Sequence, residues 1–108
     1  MNLSDLVFVG FNRKVAALER NTGSLIWQWQ APQGMQYTSL LLDGDLLIVS
    51  VDGYMYGLNP YSGELLWSNP MKGFGTGVAS LVSVNGVSSN SAASSAAARA
   101  AHAAAAAH

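Results

Sequence analysis

The sequence contains no cysteine, which excludes a disulfide framework and any cysteine metal site. Charge is scarce: five Lys and Arg against six Asp and Glu give a net charge of −1, with no basic or acidic run. The phosphate-neutralising cluster that nucleic-acid binding requires is missing. The only histidines are His102 and His108, both near the C-terminus, so the remainder of the chain cannot assemble a nucleophile and an imidazole base. They read as solvent-exposed or tag-like residues, with weak metal binding by a multi-chain cluster as the alternative. No window reaches about 18 strongly apolar residues, so no membrane span is expected. The opening "MNLSDLVFVG" lacks the basic and apolar regions of a signal peptide. The expected location is cytoplasmic, or periplasmic if a signal has been removed.

Half of the residues are apolar, which argues against disorder. They are unevenly spread: large side chains end at about Val87, and residues 88–108 are almost all Ala and Ser. The expected organisation is therefore a folded unit over 1–87 and an Ala/Ser tail over 88–108. The tail is either helical, with Asn90 or Ser91 as N-cap, or flexible. A core built from so few residues buries little more than ~60% of its unfolded surface, and partners often complete such folds.

The first unit repeats itself. A shift of forty residues lays Asp5-Leu6 on Asp45-Leu46, Leu18 on Leu58, Gly23 on Gly63, Leu25 on Leu65 and Trp27 on Trp67, without a gap. Each copy reads as three strands. "LVFVG" and "LLIVSV" are short apolar runs, the pattern of strands buried on both faces. "KVAALE" and "YMYGLN" alternate at period two, and "SLIWQWQ" and "ELLWSN" alternate more clearly. The turns "RNTG" and "PYSG" end in a glycine suited to positive φ. A further strand, "YTSLLLD", precedes the second copy and ends in the tight turn Asp43-Gly44-Asp45, where calcium would need more oxygens than the segment supplies. Its counterpart is "GVASLVSVNG", Gly77–Gly86, with Gly77–Val84 the part expected to pair.

Four-stranded antiparallel units repeating at about forty residues are the pattern of β-propeller blades. The expected fold is all-β, two blades per chain with strand order B-C-D, A-B-C-D, A. Two blades close no propeller, so the terminal strand is expected to complete the first blade of a neighbouring copy, head to tail. A fragment of a longer propeller is the alternative.

The stretch "ALERNTGSLIW" resembles the tryptophan-docking motif of the quinoprotein-type, PQQ-like β-propeller repeat family, whose members include PQQ-dependent dehydrogenases and outer-membrane assembly factor B. Ala17, Thr22, Gly23 and Trp27 match the motif, with Glu19 in place of its aspartate. The second copy keeps Gly63 and Trp67 and carries Gly57, Asn59 and Ser62 as near-equivalents. The resemblance implies that these ten residues fasten blade to blade, each indole lying over a small residue, and that rings usually have eight blades. A homo-oligomer follows, four chains for eight blades or three for six. Trp29, outside the motif, reads as outer-strand packing.

In this family the ligand face is formed by the B–C loops and D–A connections, which place Arg13, Lys14, Tyr37, Tyr54, Lys72 and Phe74 there, with Gln33, Gln36 and Met71. Mixed aromatic and basic loops suit a peptide or a glycan. The family's dehydrogenases hold their quinone with calcium, carboxylates and often a vicinal cysteine pair. This sequence lacks that set, so no cofactor, metal or catalytic residue is expected. The expected function is a non-enzymatic interaction scaffold; the alternatives are a multivalent lectin and a degenerate quinoprotein enzyme.

Overall fold

The computed structural model describes residues 1–88. After a 3-10 turn at Leu3–Asp5, three strands form one antiparallel sheet: β1 Leu6–Phe11, β2 Lys14–Glu19 and β3 Leu25–Gln30. The second sheet holds β4 Thr38–Asp43, β5 Leu46–Val51, β6 Tyr54–Leu58, β7 Leu65–Asn69 and the short β8 Gly86–Ser88, in the order β7-β6-β5-β4-β8. The described residues contain no α-helix.

Turn chemistry sets the registers. Asn12 and Arg13 both take positive φ between β1 and β2, as do Asp52 and Gly53 between β5 and β6. Those are type I′ turns, whose twist matches the flanking strands. An arginine in this region is unusual. Here it is held from outside: the Arg13 N–H donates to Thr38 Oγ1 at 2.8 Å, and the Arg13 carbonyl accepts from the Ala31 N–H at 2.8 Å. The two sheets repeat one another in detail, since pairing slips by one residue at Ala17/Leu18 and again at Gly57/Leu58.

The core lies between the two sheets. Val15 and Ala17 of β2 with Trp27 of β3 meet Leu40 of β4, Leu47, Val49 and Val51 of β5, and Tyr56 and Leu58 of β6. The blades approach closely here: a Cβ on Gly10 of β1 would lie 3.0 Å from Thr38 Cγ2. Trp29 packs edge-on to Tyr56, with ring centroids 5.0 Å apart.

Two expectations are corrected. β1 is not buried on both faces as β5 nearly is: Leu6 and Gly10 face the second sheet, while Val7 and Phe11 point to the opposite face and are exposed. Gly77–Val84 forms no strand; the last strand is Gly86–Ser88, paired antiparallel to β4 in the same chain. A strand persists only beside a hydrogen-bonding neighbour, and Gly86–Ser88 occupies the β4 edge. Val82 and Val84 are left almost fully exposed. No closed ring is seen, and the tail helix over Ser91–His108 lies outside the described residues.

Candidate functional site

The two motif turns are built alike. In the first, the Gly23 N–H donates to the Glu19 carbonyl and the Glu19 N–H to the Ser24 carbonyl, both at 2.8 Å. In the second, Gly63 donates to Asn59 and Asn59 to Glu64 at the same distances. Side chains close both loops. Glu19 Oε2 accepts from the Asn21 and Thr22 N–H groups, while Asn59 Oδ1 accepts from Tyr61. Thr22 Oγ1 accepts from the Ser24 N–H and Ser62 Oγ from the Glu64 N–H, each at 3.2 Å. The Thr22 side chain and the Asn21 N–H hold the Glu19 carboxyl below its ordinary pKa. Gly23 and Gly63 sit at φ +75° and +77°, where a Cβ is strained.

The tryptophans differ. Trp27 stands opposite the fully buried Ala17 and is only 8% exposed. Its indole N–H crosses to the second blade and donates to the Pro60 carbonyl at 2.8 Å, while its ring covers Gly63. A Cβ on Gly63 would lie 2.5 Å from Trp27 Cε3. Trp67 stands opposite Gly57, whose hydrogen leaves the room a Cβ would fill, 2.3 Å from Cε2. Yet Trp67 is 40% exposed, on a strand exposed from end to end.

The ligand-face residues fall into separate hollows. Tyr54, Lys72, Gln33 and Met71 line one of about 330 Å³. Tyr37 and Gln36 line another of about 260 Å³, and Phe74 and Met71 border a third, about 510 Å³, which runs over Trp67. Lys14 lies beside Trp29 and Gln30. With its amide oriented for hydrogen bonding, Gln30 accepts from Arg13 Nε at 3.0 Å.

Sequence reasoning passed over two residues that organise this region. Pro60 supplies the acceptor for Trp27 and is fully buried; only its place between Asn59 and Tyr61 in the motif pointed to it. Asp52 ties down the connection into β4, accepting from the Met35 N–H at 2.6 Å and the Tyr37 N–H at 3.0 Å. Desolvation pushes its carboxyl up, but the Met35, Tyr37 and Gln36 N–H groups outweigh it and hold the pKa below its ordinary value.

Among the described residues, no group of three or more His, Cys, Asp or Glu could hold a metal ion. That donor set does not fit a calcium-held quinone. The sequence pattern of the family described as "Outer membrane protein assembly factor BamB" matches residues 4–105 of the chain. No curated protein matches it.

Proposed function

The chain belongs to the PQQ-like β-propeller repeat family of outer membrane protein assembly factor BamB, and from that premise we propose that it is a non-enzymatic interaction scaffold whose copies join head to tail into a closed ring. The observation that carries this reading is the unequal completion of the two blades. β5 has β4 on its inner side, while β1, its repeat equivalent, has no neighbour there among the described residues. An open strand edge is a template for another chain. Gly77–Val84 holds Val78, Val82 and Val84 exposed and belongs to no strand of its own chain. Added to β1 of the next copy, this segment supplies the missing strand, and three or four chains give six or eight blades.

The solution mass tests this directly, by native mass spectrometry or by light scattering on a size-exclusion column. A single trimer or tetramer is expected, and a monodisperse monomer refutes the ring.

A second reading, a lectin with one site per chain, draws support from Tyr54, Lys72 and Gln33 sharing one hollow. An aromatic platform beside donors suits a sugar, and repetition around a ring multiplies weak affinities. A glycan array should then show hits that Tyr54→Ala removes; a blank array dismisses the reading.

A further inference from the structure

An asparagine amide is open to attack by the backbone nitrogen of the next residue when that nitrogen bears a proton, is weakly hydrogen-bonded and has no bulky side chain beside it. Asn59 and Asn69 are safe, since Pro60 and Pro70 have no N–H. After Asn12 and Asn21 the N–H is taken: Arg13 donates to Thr38 Oγ1 and Thr22 to Glu19 Oε2, each at 2.8 Å. Asn2 precedes the branched Leu3. Among the described asparagines, only Asn85 precedes a glycine, and its exposed side chain has no hydrogen-bond partner there. The Gly86 N–H donates to the Ser83 carbonyl at 3.3 Å, beyond the range of about 2.7–3.2 Å usual for such bonds. The turn stands clear of the sheet, with Val82 and Val84 at 90% and 99% exposure. Packing explains the glycine, because a Cβ on Gly86 would run into the Leu41 side chain and Ser83 Oγ. The close fit of β8 over Leu41 thus requires the one residue type that leaves Asn85 unprotected.

We propose that Asn85 is a self-modifying site, which converts in water to aspartate and isoaspartate and so loosens β8 from the β4 edge. The Gly86 nitrogen gives up its proton and bonds to Asn85 Cγ; the Cγ–Nδ2 bond breaks, and the amide nitrogen leaves as ammonia. The product is a five-membered cyclic imide. Water then opens it at one of two bonds. Cleavage between Cγ and the Gly86 nitrogen restores the ordinary backbone, with aspartate at 85. Cleavage between the Asn85 carbonyl carbon and that nitrogen leaves the chain running through Cβ and Cγ, as isoaspartate. No electrons are exchanged, and water is the only co-reactant. Both products add a carboxylate, and isoaspartate also lengthens the backbone by one carbon immediately before β8. Strand β8 is held by only three residue pairs, Leu41–Ser88, Leu42–Val87 and Asp43–Gly86, so it has little pairing to spare. That register places residue 85 beside the Asp43-Gly44-Asp45 turn, where a new negative charge meets two others. Loss of β8 exposes the β4 edge, whose N–H and C=O groups then stand open to pairing.

The test ages the full folded chain in mildly alkaline buffer and follows it by peptide mass spectrometry. Trypsin cuts after Lys72 and Arg99, and fragmentation of the peptide between them separates Asn85 from Asn90. Conversion at Asn85 is expected to run roughly tenfold or more faster than at any other described asparagine, and to speed up as pH rises. Asn85→Gln, whose cyclisation needs a larger ring, should stay unmodified. Amide hydrogen exchange then reads the consequence: over residues 86–88 it should be about fivefold or more faster in the aged chain, with Asn85→Gln unchanged. Asn85→Asp supplies the charge without the longer backbone and should show part of that increase at once. A folded chain that keeps its Asn85 amide while the urea-unfolded chain loses it overturns the site, because the turn then shields the amide. Conversion confined to Asn90 overturns it equally. Conversion at Asn85 with unchanged exchange over residues 86–88 overturns the loosening of β8.

Discussion

Replacing Trp27 by phenylalanine removes one hydrogen-bond donor from between the blades and leaves the Pro60 carbonyl, fully buried, with no partner. A buried acceptor stripped of its partner costs about 1–3 kcal/mol. The smaller ring also gives up contact over Gly63, worth roughly 1 kcal/mol at 25 cal/mol per Å². The expected loss is therefore about 2–4 kcal/mol, or roughly 10–20 °C in Tm for a unit of this size. The same change at Trp67 provides an internal control. That side chain is 40% exposed, against 8% for Trp27. Its N–H donates to no described residue, so Trp67→Phe strips no buried acceptor and should cost less than about 1 kcal/mol. Both variants are compared with the unaltered chain by urea denaturation followed by far-ultraviolet circular dichroism, at dilutions where the chains are separate. Midpoints that fall equally in the two variants would refute the claim that Trp27 fastens the blades.

Three further outcomes follow from the same geometry. Gly63→Ala and Gly23→Ala share positive-φ strain of about 1 kcal/mol, but only Gly63 would push a Cβ into an indole; in the separated chains Gly63→Ala should lose at least about 2 kcal/mol more, and equal urea midpoints would contradict the packing. Ser50 Oγ is buried with no partner among the described residues, so Ser50→Ala should raise stability by about 1 kcal/mol; a lower Tm would mean that the hydroxyl is satisfied after all. The Asp52 and Glu19 carboxyls are held below their ordinary values of 3.8 and 4.5, so the unfolded chain takes up their protons first. Their stabilisation is fully present above those values and is lost as pH falls below them. Asp52→Asn should flatten the acid limb of a stability–pH curve, and an unchanged limb would remove Asp52 from this role.

The seven principal strands and their turns could be read from the sequence because their causes are local. Period-two alternation, the glycine of each motif turn and the repeated Asp-Leu pairs each act over a few residues, and the strand limits of β1, β2 and β5 follow them closely. The motif residues Glu19, Thr22, Asn59 and Ser62 close their own turns through contacts of two or three residues' separation. Their roles were legible for the same reason. Asp52 and Pro60 were not, since their partners lie 15 and 33 residues away.

What the chain settles by itself is thus the repeat, the blade and the position of each tryptophan opposite a small residue, since register and side-chain volume are written in adjacent letters. Tertiary structure alone decided which tryptophan is a fastener. Trp27 and Trp67 have nearly the same local surroundings, but among the described residues only Trp27 has a following turn in reach, with a carbonyl for its proton and a glycine for its face. The last strand was decided in the same way. Gly77–Val84 has the length for a strand, yet pairing belongs to whichever segment meets a free edge, and at β4 that segment is Gly86–Ser88. Burial and pairing are properties of two surfaces together, and a pattern along one strand specifies only one of them.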